Sequence, residues 1–240
     1  MSETNQSRII LSLDLTCPPN QIIKKSFSII KSISTDICAV KINHHLLLPL
    51  SSNEIKKLIS FIHSRNLLVI ADLKLNDISA TNLIVIKYLW NAGFDAIIVN
   101  PFVGYSEGLE PLLIKSKSKN KGVLFLVYMS HKGAKDGYGL EIIKRGKKTK
   151  LYLEFVARAR RWHADGIIVG ATRPSLIKEI SNHTNSSIDI YTPGIGTQGG
   201  DASKSIKSGA NYLIVGRSII NSKNPKLATS RIRINSWIDF

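Results

Sequence analysis

The sequence predicts an α/β protein built as a closed (β/α)8 barrel, the TIM-barrel architecture. Two observations lead to this fold class. Eight short apolar runs rich in β-branched residues recur along the chain, and segments with helical periodicity lie between them. The runs are almost continuously apolar, which is typical of parallel strands covered on both faces. Because they begin roughly 25–30 residues apart, about the length of one strand–helix unit, eight such units fill the chain.

The predicted strands share apolar side chains and few charges. In chain order they are 8–14, 37–43, 67–73, 95–100, 122–128, 165–170, 188–193 and 211–216. The step from the fifth strand to the sixth is longer than the others, so we expect an extended loop there, at 130–146.

Helices are predicted between these strands, at 21–34, 53–64, 81–92, 152–163 and 202–208. Asn53, Thr81 and Asp201 are candidate N-caps, because their side-chain oxygens can accept hydrogen bonds from the free N–H groups at a helix start. Gly93 and Gly209 follow predicted helices, at the position where a left-handed residue commonly ends a helix.

A doubly wound open sheet is the structural alternative to the barrel. Such a sheet usually has fewer strands and carries a glycine-rich nucleotide fingerprint after the first strand, and the stretch LDLTCPPN is not one. No shift in composition and no linker divides the chain. We therefore expect a single domain over residues 1–240, with the barrel core at about 8–225.

The composition of the chain bears on where in the cell the protein is expected to be found. The 240 residues are 43% hydrophobic, and the longest apolar runs are far shorter than the ~20 residues of a membrane span. The polar N-terminal stretch lacks the layout of a signal peptide, so we expect a cytoplasmic protein with no membrane partner. Cys17 and Cys38 have no metal-ligand spacing and are expected to be reduced thiols; a disulfide is the alternative if the source is a hyperthermophile.

The charge is unusually positive, with 33 Lys and Arg against 17 Asp and Glu and a formal net charge of +16. This balance permits contact with nucleic acid or steering of anionic small molecules. The basic runs at 115–122 and 144–150 are predicted to be solvated loops or helix ends. Because no aromatic residue interleaves them, they offer no platform for base stacking, and we expect no nucleic-acid partner.

Charged and hydrogen-bonding residues follow the predicted strands. In barrels of this class the chemistry lies at the carboxyl ends of the strands. Asp72 and Lys74 are two residues apart, so on a strand they face the same side, and Lys41 ends the neighbouring strand. An ammonium group flanked by carboxylates is held protonated, which suits delivery of a proton to a carbanion. An ordinary salt-bridge network is the alternative.

The last two strands end in a candidate phosphate site. A glycine-rich stretch, TPGIGTQGGDAS at 192–203, follows the seventh strand, and VGRS at 215–218 follows the eighth. Barrels of this class often hold a phosphate here with backbone N–H groups. Arg217 offers a fork that matches phosphate oxygens, and Gln198 offers a neutral donor. A flexible connecting turn is the alternative.

Several of these motifs resemble those of a known family. The stretch DLKLNDISAT at 72–81 resembles the Asp-x-Lys-x-x-Asp-Ile-x-x-Thr signature of the orotidine 5′-phosphate decarboxylases, in their compact microbial form. The matching order continues with LSLD, VKI, YMSHKGA, PGIGTQGGDA and GRSI, over about residues 8–225. The resemblance implies a homodimer that converts orotidine 5′-monophosphate (OMP) to UMP and CO2, the last step of de novo pyrimidine synthesis, without metal or cofactor.

The resemblance also implies a role for each matching residue. Lys74 would donate a proton to C6 of the base, and Asp72 would lie beside the departing carboxylate. Asp77 and Thr81 would reach across the dimer interface into the partner's site. Other residues are implied to bind the ribose, pyrimidine or phosphate of the substrate, or to belong to a closing lid at 193–203. They are Asp14, Lys41, Ser130, Pro193, Gly194, Gly196, Gln198, Gly199, Gly216 and Arg217.

Two positions depart from the family pattern, and two other functions compete with it. Asn100 stands where many relatives carry His, and Ser79 where Pro is common. The nearest rival is a Mg2+-dependent sugar-phosphate decarboxylase or aldolase of the same barrel superfamily. Those enzymes place an acidic metal ligand where this chain has Lys41, whose charge would repel the metal. The second rival is a basic, non-catalytic nucleic-acid-binding barrel, which leaves the pairing of Asp72 with Lys74 unexplained.

Overall fold

A computed structural model of the chain describes Glu3 and residues 5–185 and 187–237. Parallel strands close into an eight-stranded barrel, in which each strand pairs with its sequence neighbours and the last pairs with the first. The predicted fold class is confirmed. The predicted domain of 1–240 includes residues at both ends, and Ser186, that lie outside the described part.

Strands and helices alternate along most of the described chain. The strands are β1 (Ile9–Ser12), β2 (Ala39–Asn43), β3 (Leu68–Leu75), β4 (Ala96–Val99), β5 (Gly122–Tyr128), β6 (Glu141–Lys144), β7 (Lys147–Lys150), β8 (Gly166–Val169), β9 (Asp189–Pro193) and β10 (Tyr212–Val215). The helices are α1 (Pro19–Ile33), α2 (His44–Leu47), α3 (Ser52–His63), α4 (Ser79–Ala92), α5 (Glu110–Ser118), α6 (Ala134–Gly137), α7 (Leu151–Arg161), α8 (Pro174–Thr184), α9 (Ala202–Lys207), α10 (Arg217–Ile220) and α11 (Pro225–Ser236). All eight predicted barrel strands are present.

Helix starts only partly follow the prediction. Asp201 caps α9 as expected, since its side chain accepts a hydrogen bond from the backbone N–H of Lys204. The prediction for Asn53 is wrong, because Ser51 and Glu54 form a capping box that satisfies two backbone donors instead of one. Thr81 is not a cap either, because α4 begins two residues earlier, at Ser79.

The prediction of a loop at 130–146 is wrong in part, because this segment contains the short helix α6 and the strand β6, and β7 follows it. There β6 and β7 pair as an antiparallel hairpin with Lys144 opposite Lys147. The two turn residues, Arg145 and Gly146, both have positive φ, as a tight primed turn requires. The basic run 144–150 is therefore a turn and a strand. Lys144 also forms an ion pair with the buried carboxylate of Glu154 on α7.

The core has two layers, which explains the continuous apolarity of the strands. Phe125 points outward and packs among the helices, whereas its neighbours Leu124 and Leu126 point into the barrel. Both layers exclude water, so neither face of a strand carries the polar alternation of a half-exposed sheet. Cys38 lies in the inner layer as a free thiol, and burial raises its pKa to about 12.

No helix among the described residues is both long and apolar enough to cross a membrane.

Candidate active site

A cavity of about 170 Å3 opens at the carboxyl end of the barrel. Its floor is apolar, formed by inward-pointing side chains of four strands: Ile98, Leu126, Ile168 and Ile214. Its rim is charged and polar. The cavity therefore combines a dry base with converging polar groups, as sites for organic substrates commonly do.

The charged groups of the rim form one alternating chain of ion pairs. Lys74 Nζ lies 2.7 Å from Asp72 Oδ1, and Lys41 Nζ lies 2.6 Å from Asp72 Oδ2. Lys41 Nζ also lies 3.8 Å from Asp14 Oδ1. The sequence Lys74–Asp72–Lys41–Asp14 thus runs along the rim. Lys41 and Asp72 are buried, whereas about a third of the Lys74 side chain is exposed (33%) and faces the cavity mouth.

Lys74 reaches Asp72 from an irregular strand end. Its backbone has φ of 48°, in the left-handed region that a lysine rarely adopts. The β3–β4 register shifts between Ala71 and Leu75, and the N–H of Asn100 donates to the carbonyl of Leu75. The expected proximity of Asp72 and Lys74 is present, but regular strand alternation does not produce it. Backbone strain of this kind is often found where a side chain must be held in one orientation.

Opposing effects act on the Asp72 carboxyl. Burial raises its pKa, but the ammonium groups of Lys41 and Lys74 together outweigh burial through charge and hydrogen bonding. The net result is a pKa below the ordinary value, so Asp72 is ionised at neutral pH.

Asp14 is held by two neighbours that the sequence did not single out. Ser12 Oγ donates to Asp14 Oδ2 at 2.7 Å, and Asn43 Nδ2 donates to Asp14 Oδ1 at 3.1 Å. Gly216 lies against this group, since a Cβ there would come within 3.1 Å of Asp14 Oδ2 and 3.2 Å of Ser12. The first and last strands therefore meet closely at this corner of the cavity.

The glycine-rich segment after β9 is an ordered turn. Its backbone bonds to itself, with Gly196 N–H donating to Gly200 and Gly200 N–H donating to Gly194. Ser218 ties the turn to the end of the barrel, because its hydroxyl accepts a hydrogen bond from Thr197 N–H. Gly196 has φ of 75°, and a Cβ there would lie 2.2 Å from Ser218 Oγ. Gln198 of this turn and Arg217 at the start of α10 both line the cavity rim.

The amino-acid sequence matches a family model. The model of the orotidine 5′-phosphate decarboxylase / HUMPS family matches residues 7–232. The chain belongs to this family. The resemblance seen in the motifs is confirmed, and so is the prediction that the protein is an enzyme of the carboxy-lyase type that these relatives represent.

Individual relatives agree with the family model. The orotidine 5′-phosphate decarboxylase of Pyrococcus abyssi is 36% identical over 196 residues, which are 82% of this chain and 85% of that protein. The crystal structure of the enzyme from Pyrococcus horikoshii OT3 is 32% identical, with a TM-score of 0.77 over 95% of this chain and 98% of that one. The enzyme from Methanocaldococcus jannaschii, complexed with inhibitor BMP, is 27% identical, with a TM-score of 0.78 over 95% and 96% of the two chains.

The structure brings most of the residues predicted from the decarboxylase motifs to one cavity. Those that line it are Asp14, Lys41, Asp72, Lys74, Ser130, Pro193, Gly194, Gln198, Gly216 and Arg217. Gly196 and Gly199 shape the turn without lining the cavity. Asp77 and Thr81 lie outside it, exposed on the turn before α4 and on its first helical turn.

Several residues that form the site were not predicted from the sequence. They are the apolar floor and the supporting residues Ser12, Asn43, Thr197 and Ser218. Ser12 had a signal, since it lies two residues before Asp14 and would share its side of the predicted strand 8–14. Ser218 had none, because its contact joins segments that are distant in sequence.

The rim carboxylates are bridged by lysine. The Lys41 ammonium occupies the space between Asp14 and Asp72, so both carboxylates already contact a cation of the chain itself. Across the described residues, no group of three or more His, Cys, Asp or Glu side chains converges in a way that could hold a metal ion.

The substitution Asp72→Asn is expected to destabilise the fold by about 3 kcal/mol at pH 7, because it leaves the buried Lys41 without its nearest counter-charge. The folded-state pKa of Asp72 lies below the ordinary 3.8. Its stabilising contribution is therefore complete above pH 3.8 and is lost as pH falls through the folded-state pKa. Urea unfolding should show a large gap between variant and parent at pH 7 and a smaller gap at pH 3.

The matched control is Asp136→Asn, which removes an exposed carboxylate in α6. It is expected to leave the free energy of unfolding within about 0.5 kcal/mol of the parent. A gap for Asp72→Asn that stays constant between the two pH values would contradict the coupling to Lys41 and Lys74.

Proposed function

We propose that this protein converts OMP to UMP and CO2 in pyrimidine biosynthesis, using Lys74 as the proton donor and no metal or cofactor. The observation that carries the proposal is the alternating Lys74–Asp72–Lys41–Asp14 chain at the rim of a cavity with an apolar floor. Such a cavity offers a dry surface for a planar base and a fixed ammonium group at one edge of it. We place the reaction in the cytoplasm, without a membrane or nucleic-acid partner.

The chemistry makes a fixed cation valuable. When the bond between C6 and the carboxylate breaks, CO2 leaves and the electron pair remains on C6, where the ring delocalises it poorly. An ammonium group held nearby stabilises this developing charge and then transfers its proton to C6. Lys74 becomes a neutral amine and regains a proton from solvent. The Asp72 carboxylate, whose Oδ1 lies 2.7 Å from Lys74 Nζ, holds this ammonium group in position before the reaction starts.

The remaining cavity residues would bind the rest of the substrate. We assign the ribose hydroxyls to Asp14 and Lys41, and the edge of the pyrimidine to Ser130. We assign the phosphate to Gln198 and Arg217, assisted by the backbone N–H groups that begin α10. The phosphate is remote from C6, so its binding energy can be used to close the 193–203 segment over the base and to exclude water.

We further propose that the active form is a homodimer in which each chain completes the site of the other. Asp77 and Thr81 lie outside their own cavity, on a surface with exposed apolar side chains. Ile78, Ile84 and Tyr88 are 61%, 58% and 70% exposed. A cluster of large exposed apolar residues on a globular protein favours a protein contact. A second copy docked there would bring the partner's Asp77 and Thr81 towards the cavity.

The direct test is the ultraviolet absorbance of OMP after addition of the purified protein in excess EDTA. We expect rapid conversion to UMP, at a rate that added Mg2+ does not raise. Activity that appears only with Mg2+ and a sugar phosphate would instead assign the protein to the metal-dependent branch of the superfamily. Absence of turnover on either substrate would refute the proposed reaction.

A further inference from the structure

Asn82 is a buried amide that holds the turn carrying Asp77. Its side chain is fully buried in α4 (0% exposed), and its Nδ2 donates to the backbone carbonyl of Asp77 at 2.5 Å. Its own backbone N–H donates to the carbonyl of Ile78 at 3.1 Å. Asn82 therefore donates hydrogen bonds to two consecutive backbone carbonyls of the turn. The Asp77 carboxylate is fixed from the other side, since its Oδ1 accepts a hydrogen bond from Ile78 N–H at 2.7 Å.

The amide comes at a cost to stability. Within the described part of the chain, the Oδ1 of Asn82 is buried and has no hydrogen-bond partner. A buried polar atom without a partner destabilises a fold, and an apolar side chain of similar size would avoid the penalty. Sequences commonly depart from good packing chemistry where function requires it. The stability of α4 therefore does not explain an amide at this position. The hydrogen bond that its Nδ2 donates to Asp77 suggests a functional role instead.

The turn held by Asn82 does not line the cavity of its own chain. Asp77 is exposed and does not line the cavity of its own chain, whereas Asp72 and Lys74, a few residues earlier, do. The segment from Lys74 to Asn82 thus begins in one site and leads away from it, towards the apolar surface proposed as the dimer contact. A carboxylate that acts in another protomer is better prepared for that site when contacts within its own chain fix its orientation before the two chains meet.

We propose that Asn82 is a positioning residue that acts in trans: it fixes the Asp77 turn so that this carboxylate enters the active site of the partner protomer. The inference rests on the proposed decarboxylase function and on the shared site. Replacing Asn82 should therefore lower the catalytic rate in the cavity of the other chain. A purely structural role would instead impair the chain that carries the substitution. Small misplacements of a group near the reacting centre can lower rates by about a hundredfold.

The first test replaces the amide by an apolar side chain of similar size, in Asn82→Leu. We expect kcat to fall at least tenfold while KM and the melting temperature change little, because the variant also removes the unpaired buried oxygen. Ser116→Ala is the matched control: Ser116 is equally buried and its Oγ is unpaired among the described residues, but it lies in α5, away from the site. It should leave kcat unchanged.

The decisive test is complementation in mixed dimers. Asn82→Leu is co-expressed with an excess of Lys74→Ala, each with its own affinity tag, and the doubly tagged dimers are isolated. Such a dimer holds one site with an intact Lys74 from the Asn82→Leu chain and a properly held Asp77 from the other chain. We expect its activity to recover to about half that of the parent dimer, because one of its two sites is intact.

A parallel mixture of Asp77→Ala with Lys74→Ala tests the shared active site on its own. It therefore distinguishes a failure of the shared site from a failure of the role assigned to Asn82. If Asp77→Ala is rescued and Asn82→Leu is not, Asn82 acts within its own chain and the inference is wrong. If neither mixture recovers activity, the shared site itself fails and the inference falls with it. Asn82→Ala is carried through the same mixture as a second variant. A loss of folding in both Asn82 variants would assign the residue to stability and also overturn the inference.

Discussion

Replacing Lys74 by alanine is expected to lower kcat for OMP decarboxylation by about 10,000-fold or more. The lysine serves in two ways, as the cation that stabilises the C6 carbanion and as its proton donor, and each contribution is typically about a hundredfold or larger. Binding of the product UMP should change by less than about tenfold, since the phosphate and ribose contacts remain. The two quantities are measured by single-turnover kinetics and by calorimetric titration.

The fold should survive this change. Asp72 keeps its closer partner Lys41, at 2.6 Å, so the buried carboxylate remains paired when Lys74 is removed. Lys31→Ala, which removes an exposed lysine from the last turn of α1, is the matched control and should leave kcat unchanged. Residual turnover within about tenfold of the parent would show that another group protonates the product and would remove Lys74 from the mechanism.

Replacing Arg217 by alanine is expected to lower kcat/KM for OMP by about a hundredfold or more. Its guanidinium is exposed at the cavity rim, next to the ordered turn that Ser218 ties to the barrel. A forked pair of charge-assisted hydrogen bonds to phosphate stabilises the complex by several kcal/mol in such a setting. If this binding energy also closes the 193–203 segment over the base, kcat falls together with a rise in KM.

The nucleoside orotidine, which lacks the phosphate, provides the control for Arg217. The parent and Arg217→Ala should process orotidine at similar low rates, because neither can use a phosphate contact. The loss is then specific to the phosphorylated substrate and is measured as the ratio of kcat/KM for the two compounds. An equal loss on both compounds would mean that Arg217 supports the cavity by another route.

The barrel was predictable because its signals are local and repeated. Each strand, such as β5, is a short apolar run, and the repetition of strand and helix leaves few ways to connect the elements. The β6–β7 hairpin was missed because five of its ten residues are basic, which suggested a solvated loop. Its turn carried a signal in Arg145–Gly146, where glycine readily adopts the required positive φ.

The candidate site was predictable in its members and less so in its geometry. Motif spacing brought Asp72 and Lys74 to one strand end, but the left-handed backbone of Lys74 depends on the shifted register between β3 and β4. Such a shift arises from tertiary pairing and leaves no mark in a single sequence. The same holds for Ser218 and Asn43, whose partners are distant along the chain. Asn82 looked like an ordinary helix residue until its burial and its bond to Asp77 were known.

The proposed decarboxylation with protonation at C6 is tested by running the reaction in D2O with excess EDTA and analysing the product at C6. We expect one CO2 to be released for each UMP formed and each UMP to carry one deuterium, located at C6, because the Lys74 ammonium exchanges with solvent before it protonates the carbanion. Mass spectrometry and proton NMR of the isolated nucleotide measure its deuterium content, and trapping the released gas in alkali measures the CO2 formed for each UMP. Recovery of unchanged OMP would rule out the decarboxylation, and UMP without deuterium at C6 would rule out protonation of the carbanion by an exchangeable lysine ammonium.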